Sequence, residues 1–448
     1  MRKELKPAKK IGGTISVPGD KSIAHRAALF SILAEQPLTI KNYPNNADCT
    51  SSLKAAEALG VKIEKNGDEL LLTPPENLNV PEDTIIDCGN SGTTARLISG
   101  ILAGSNVTVT LSGDESLSQR PMKRVIDPLT EMGAEFFSEN GCLPLKISGK
   151  KLLPFDYRLP VASAQVKSSI LLAGVASSCS VNIYEDSITR DHTEIMLEEI
   201  GQGLKVTEIK PVLVQDENDP RKKKMVMPHD YKKEIALSSP AKIIGGEIDI
   251  PGDISTAAFF MAAAAISGKE LTIKNVGLNP TRTAFITHLK QIGCKVEINN
   301  KETISGELRG DVTVTGGKLK ARKISGETTV GLIDEIPIIS VMAAFAEGTT
   351  IIRDAAELRV KESDRLAAVG ENLELMGVKC GVLDDGLAIE GFPGDLNGSD
   401  FKAFGDHRIA MAFSIASLFL VGPSSIDDAA VVDISCPGFY ELLNQITL

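Results

Sequence analysis

Apolar and polar positions fall into a recurring order of blocks along this chain. Runs of small and apolar residues with little polar interruption begin near Ser22, Gly92, Ser163, Ser255, Glu335 and His407. Apolar character on every side predicts a fully buried helix in each case. A short run with strand character follows each one: LTIKN from Leu38, VTVTL from Val107, SVNIY from Ser180, LTIKN from Leu271, TTIIR from Thr349 and SSIDD from Ser424. A second, more polar helix comes next and usually stops at Gly60, Gly133, Gly293 or Gly377, because glycine adopts the left-handed conformation that closes a helix. Hairpins complete several units, as 61–64 and 69–73 do around Asn66-Gly67. The pattern predicts a βαβαββ unit six times, three per half. One unit alone cannot cover its apolar helix, whereas three around a common axis can, so the helices are expected inside and the sheets outside.

Residues 12–64 recur at 245–297, displaced by 233 without a gap, with 18 of 53 positions identical. Both copies read GG-x-I-x-x-PGD-x-S, then LTIKN, then G-x-K-x-E. Where they differ, charge is involved: Lys21, His25 and Arg26 stand opposite Ile254, Ala258 and Phe259. If those positions needed only to pack, apolar residues would suffice, so the first copy holds something more. The doubled Pro-Gly-Asp at 18–20 and 251–253 reads as two crossovers. The expected domains are 18–245, and 1–17 plus 246–448, with an active site in the interdomain cleft.

Composition narrows the function classes. At 448 residues the chain exceeds one growing core. A net charge of −11 argues against nucleic acid or an anionic membrane as a bulk partner, and the absence of Trp argues against base-stacking platforms. Seven cysteines without a C-x-x-C pair suit a reducing compartment and speak against structural zinc. The basic start MRKELKPAKK leads into no apolar secretory core. The longest apolar stretches, 257–268 and 409–422, fall short of the roughly 20 residues that span a bilayer. A soluble, monomeric, cytoplasmic protein is the expectation. One segment departs from the repeat: 208–234 is densely charged, includes Arg221-Lys222-Lys223-Lys224, and reads as a solvated hairpin or loop.

Candidate chemistry gathers at the helix starts. Lys21 and Arg26, and His407 and Arg408 after the capping Asp406, oppose the helix dipole at a cost of about 0.3–1 kcal/mol each. An anionic ligand on the free N–H groups would reverse that cost. Asn90, Gly92, Ser163, Ala164 and Gln165 bring neutral donors and close backbone approach to other helix starts. The second helices are expected to add Arg120, Arg190, Lys361 and Arg365, the last two four apart on one face beside Glu362. Asp334 opens the fifth unit. It could cap its helix or, held ionised among cations, accept a proton from a substrate hydroxyl, with Glu362 as its acid counterpart. The residues imply a site for small polyanions, and no Walker sequence points to ATP phosphoryl transfer.

Taken together, PGDKS-x-x-HR-A from Pro18, NSGTTAR from Asn90, QRPM from Gln119, SAQ-x-K from Ser163, RDHTE from Arg190, IDEIP from Ile333, LRVKESDR from Leu358 and GDHR-x-AM from Gly405 closely resemble the 5-enolpyruvylshikimate-3-phosphate synthase family. The resemblance implies two inside-out α/β barrels joined by two crossovers. It also implies transfer of enolpyruvyl from phosphoenolpyruvate to the 5-hydroxyl of shikimate 3-phosphate with release of phosphate, and no metal or organic cofactor. Carried over by position, Ser163, Ala164 and Arg190 hold the 3-phosphate, and Lys21, Ser22, Arg26, Gln165, Asp334 and Lys361 surround the ring. Phosphoenolpyruvate meets Lys21, Asn90, Gly92, Arg120, Gln165, Arg365, His407 and Arg408. Asp334 is then the base, and Glu362 or Lys21 the acid. GDKS, SAQ-x-K, RDHTE and NPTR from Asn279 further resemble the glyphosate-tolerant subgroup, although its well-known tolerant members carry Ala where this chain keeps Gly92. Two readings compete. One is the sister family acting on UDP-N-acetylglucosamine, whose cysteine is missing from the loop 112–120; the other is a non-catalytic anion-binding repeat protein.

Overall fold

The computed structural model describes residues 1–216, 219–392 and 394–447, with the side chains of 213–224 and 226 outside that description. Six buried helices open the repeating units: Lys21–Phe30, Gly92–Gly104, Ala164–Ser177, Ile254–Ser267, Ile336–Ala344 and His407–Ser417. Their starts are set by local chemistry. Ser91 accepts from the Thr94 N–H, Asp253 from Ser255 and Thr256, and Asp406 from Arg408, each satisfying donors that the first turn leaves unpaired. The more polar helices follow, and Gly60, Gly133, Gly293 and Gly377 lie just past their ends at φ between 84° and 114°.

Among the described residues, five four-stranded sheets, one three-stranded sheet and a two-stranded hairpin accompany the helices. In four of them a parallel pair continues into two antiparallel strands, as in Thr84–Asp87, Thr108–Ser112, Leu145–Ser148 and Glu135–Ser138. The duplicated segments exchange strands. Gly13–Ser16 runs parallel to Glu270–Gly277, which carries the second LTIKN, while Gly246–Asp249 lies next to Leu38–Lys41, which carries the first. The last sheet has three strands, and its third is the N-terminal Lys3–Leu5, antiparallel to Ser424–Ile426.

The same exchange explains why Pro-Gly-Asp and LTIKN recur together. Asn42, just past its strand, and Asn275, at an irregularity within Glu270–Gly277, both lie in the left-handed region, at φ 56° and 52°. A Cβ on Gly19 would fall 2.1 Å from the Asn42 carbonyl oxygen, and Gly252 donates its N–H to Asn275 O at 2.7 Å. The two Pro-Gly-Asp turns also bond to each other, Asp20 N to Pro251 O at 2.8 Å and Asp253 N to Pro18 O at 2.9 Å. Contacts divide the chain into two compact units: 1–24, 41–50 and 249–448 in the first, 25–40 and 51–248 in the second. Lys21 and Ser22 therefore belong to one unit and Arg26 to the other.

Within the second unit, small residues let helix backbones touch. A Cβ on Gly100 would meet Ser169 O at 2.0 Å, and one on Gly104 would meet Ala173 O at 2.5 Å. Part of the charged segment pairs as a hairpin, Val212–Asp216 with Asp219–Val226; the side chains of Arg221 to Lys224 lie outside the described residues. All seven cysteines are unpaired. Among the described residues no helix is long and apolar enough to cross a membrane. Gly100→Ala should lower stability by about 1–3 kcal/mol or more, because the clash is with backbone that cannot swing aside. Urea unfolding followed by circular dichroism checks this, and an unchanged midpoint would contradict the close packing.

Candidate active site

In the first unit the cations and carboxylates predicted from the helix starts come together. Lys21 begins its helix on the cap Asp20, whose carboxylate accepts the Ile23 N–H at 3.1 Å. Its ammonium reaches Asp48 Oδ2 at 2.7 Å. Burial, the largest single influence, pulls the Lys21 pKa down and Arg408 adds to it, but the charge and hydrogen bond of Asp48 together with Glu362 outweigh them, and the net result is a value above the usual lysine range. The ammonium is thus held protonated.

Arg365 is the hub of the acids. Its side chain is 1% exposed and donates from Nε to Asp406 Oδ2 at 2.7 Å and from Nη2 to Glu362 Oε2 at 2.6 Å, while Asp334 Oδ1 lies 3.7 Å from Nη1. Burial alone would lower its pKa; Asp406, Glu362 and Asp334 raise it further than burial lowers it. Arg408 donates to the Asp334 carbonyl at 2.8 Å, with its guanidinium 3.9 Å from Asp334 Oδ2. Asp334 therefore sits between two guanidinium groups. It does not cap the helix it precedes; Glu335 occupies that position and makes no side-chain cap bond.

His407 is 1% exposed, and neither ring nitrogen has a hydrogen-bond partner among the described residues. Burial, then the charges of Lys21, Arg408 and Arg365, press its pKa well below 6.5 against the opposing pull of Glu362. It is a neutral imidazole at neutral pH, with an unused donor and acceptor, amid three cations. A buried polar group left unpaired in this way calls for a partner such as an ordered water or a ligand.

Two expectations need correction. Lys361 and Arg365 do not share a helix face: Lys361 ends the short 3-10 turn Ala356–Val360 and pairs with Glu357 at 3.3 Å, whereas Arg365 starts Arg365–Leu375 behind the cap Asp364. The cap Asp364 interrupts what spacing alone reads as one helix. Arg120 and Arg190 likewise lie in the connections ahead of Lys123–Glu131 and His192–Ile200, not within those helices.

In the second unit Arg120 grips Asn90 twice, Nη2 to Oδ1 at 2.8 Å and Nη1 to the carbonyl at 3.2 Å, while the Asn90 amide donates to Asp114 at 2.7 Å. Gly92 opens its helix against Arg96, which donates to Gln165 Oε1 at 3.1 Å; Gln165 in turn donates to Thr93 at 3.1 Å. Ser163 caps the helix of Ala164 and Gln165. Arg26 is buried and spends its Nε on Thr193 at 2.7 Å and an Nη on Ser168 at 2.9 Å.

A protein-family model described as EPSP synthase (3-phosphoshikimate 1-carboxyvinyltransferase) matches residues 5–443. The chain belongs to the EPSP synthase family. Among curated members, the 3-phosphoshikimate 1-carboxyvinyltransferase of Anaeromyxobacter sp. (strain K) is 43% identical over 97% of this chain and 94% of that protein. The corresponding protein of Bacillus velezensis (strain DSM 23117 / BGSC 10A6 / LMG 26770 / FZB42) is 42% identical over 97% of both. A solved EPSP synthase from Acinetobacter baumannii superimposes with a TM-score of 0.81 at 36% identity, over 100% of this chain and 98% of that one. The two-domain α/β enolpyruvyl transferase fold of the EPSP synthases is thus present.

Three further residues belong to this architecture and escaped the sequence reading. Asp48 charges Lys21. Arg96 sits one helical turn beyond Gly92 and binds Gln165. Arg282 ties Ser22, Ser255 and Asp20 together at 3.5, 2.8 and 3.3 Å, which gives Ser22 and its repeat partner Ser255 one shared contact. A cation interrupting an apolar helix was the available signal for Arg96; nothing local distinguishes Asp48. Replacing Asp48 with Asn removes the main upward influence on Lys21 and leaves burial dominant, so the ammonium should lose its proton at lower pH than in the parent. Competitive labelling of Lys21 with an amine-selective acylating reagent across pH checks this. An unmoved titration would refute the coupling.

Proposed function

We infer that the chain transfers the enolpyruvyl group of phosphoenolpyruvate to the 5-hydroxyl of shikimate 3-phosphate and releases inorganic phosphate, the shikimate-pathway step toward chorismate and aromatic amino acids. One observation carries the reading: in a member of this family, Asp334 lies between Arg365 and Arg408 in a cluster that also holds a protonated lysine and a neutral imidazole. Two guanidinium groups favour the carboxylate form, which the base of this reaction requires. Both substrates are multiply charged, and fixed cations offset the repulsion of bringing them together.

In this reading Asp334 takes the hydroxyl proton as the substrate oxygen bonds to C2 of phosphoenolpyruvate, and the methylene carbon receives a proton. Lys21 is the stronger donor candidate, since its ammonium is kept charged, whereas Glu362 is engaged at 2.6 Å by Arg365. The tetrahedral adduct then expels phosphate as a methyl proton returns to the enzyme and the enol ether forms. His407 and Arg408 would meet the phosphoenolpyruvate phosphate or carboxylate, with Asn90, Gly92, Arg120, Gln165 and Arg365. Ser163, Ala164 and Arg190 would hold the 3-phosphate, and Ser22, Arg26 and Lys361 the ring substituents. We read the enzyme as a monomer of the cytoplasm that uses no cofactor.

Mixing the protein with phosphoenolpyruvate and either shikimate 3-phosphate or UDP-N-acetylglucosamine should release phosphate only with the former. Release only with the sugar nucleotide, or with neither, would overturn the assignment.

Kinship with the glyphosate-tolerant subgroup rests on GDKS, SAQ-x-K, RDHTE and NPTR, and Gly92 is where it can be tested. A Cβ there would meet Arg96 Nη1 at 2.6 Å, the far end of a flexible side chain that can move. Gly92→Ala should therefore fold normally, raise the KM for phosphoenolpyruvate modestly, and raise the inhibition constant of glyphosate by a larger factor. Steady-state inhibition kinetics decide it. Equal factors would mean that the methyl does not discriminate.

A further inference from the structure

Behind the start of the Ala164–Ser177 helix lies a group of buried charges that the reaction does not use. Lys167 is 0% exposed, and its ammonium lies 2.6 Å from Glu194 Oε1 and 3.0 Å from Glu185 Oε1. Glu194, itself 1% exposed, is shared with Lys233 at 3.4 Å, and Lys233 is also 3.6 Å from Asp191. Glu185 accepts a hydrogen bond from Thr189. Burial raises the Glu185 pKa, while Lys167 and Thr189 oppose that rise.

Traced through its contacts, the network closes a ring around one residue. From Lys167 one path leads through Glu185 to Thr189; the other leads through Glu194 and Lys233 to Asp191. Thr189 and Asp191 are the two chain neighbours of Arg190. The connection carrying Arg190 is thus held on both sides, and both restraints return to one ammonium on the helix whose first turn presents Ser163 and Ala164. A parallel pair of contacts, Ser168 with Thr193 at 2.6 Å, joins the same two helices one residue further along and carries Arg26.

Stability is a poor reason for such a cluster. Desolvating a buried ion pair costs about as much as the pairing returns, and apolar replacements of similar volume are often neutral or better. What close buried ion pairs do provide is a fixed separation, and the separation here is that between Arg190 and the Ser163 helix start. We propose that Lys167 is a positioning residue for the phosphate monoester of the acceptor substrate, fixing Arg190 against Ser163 and Ala164 through Glu185 and Glu194. The proposal rests on the assignment of those three residues to the 3-phosphate.

The test compares Lys167→Met, Thr189→Val and the charge-neutral triple variant Lys167→Met/Glu185→Gln/Glu194→Gln with the parent enzyme, and uses Arg190→Gln as the reference. Displacing one arm of a phosphate clamp by a fraction of an ångström should raise the KM for shikimate 3-phosphate by about tenfold in the triple variant. Thr189→Val, which cuts one path only, should raise it by about threefold. The KM for phosphoenolpyruvate and kcat should stay within about a factor of two of the parent. If Lys167→Met does not fold because it strands two carboxylates, the other two variants carry the same reading. An unchanged KM for shikimate 3-phosphate in the folded variants, or an equal change for both substrates, would overturn the proposal. An unaffected Arg190→Gln would instead refute the phosphate assignment beneath it.

Discussion

Close approach of helix backbones is the constraint from which the rest follows. In the second unit the Gly92–Gly104 and Ala164–Ser177 helices meet through Gly100 and Gly104 against main-chain oxygens, which leaves no room for side chains at the contact. In the first unit the helix Ile254–Ser267 tells the same story: Ala257, Ala258 and Ala262 to Ala265 are fully buried. A helix covered on its flanks can offer chemistry only at its ends. The N-terminal ends carry free N–H groups and positive partial charge, so polar ligands that are anionic have a place to bind without disturbing the packing.

The first unit shows how such a place is kept in order. Its cations are not left to repel one another: Lys21 has Asp48, and Arg365 has Asp406 and Glu362. These acids are themselves held, Asp406 by the Arg408 N–H and Ser363. Cations and acids thus hold one another in place, and electrostatic catalysis depends on preorganisation of that kind. His407 is the exception, a buried ring with both nitrogens unengaged among the described residues, kept neutral first by its burial and then by the surrounding cations.

Much of this architecture was legible in the chain because single residues carry it. The left-handed Asn42 and Asn275 and the glycines packed against them explain why Pro-Gly-Asp and LTIKN survive together in both copies. Helix starts could be read from Ser91, Ser163, Asp253 and Asp406, since a cap acts within three residues of itself. What escaped depends on distant partners. Asp48 matters only because a separate helix brings Lys21 to it, and Arg282 only because four polar groups converge on it. The shared face expected for Lys361 and Arg365 failed for a local reason: Asp364 accepts from Ala367 and begins a new helix between them. The exchange of strands was legible in part: two Pro-Gly-Asp crossovers assign 1–17 to the C-terminal half, where Gly13–Ser16 does pair with Glu270–Gly277, but the register of that pairing could not be read.

The strand Lys3–Leu5 pairs with Ser424–Ile426, and the Met1 ammonium meets Asp428 across a separation of 427 residues. During synthesis Lys3–Leu5 therefore waits until Ser424–Ile426 has been made before its sheet can exist. At ordinary elongation rates of about 5–20 residues per second that delay is roughly 20–80 s. Through it, Gly13–Ser16 also lacks Glu270–Gly277, its parallel neighbour. The second unit, by contrast, is contiguous apart from short segments and has all its strands once residue 249 is made. Order of synthesis and order of pairing thus differ for these strands: Lys3–Leu5 and Gly13–Ser16 remain unpaired edges while the strands of the second unit are completed.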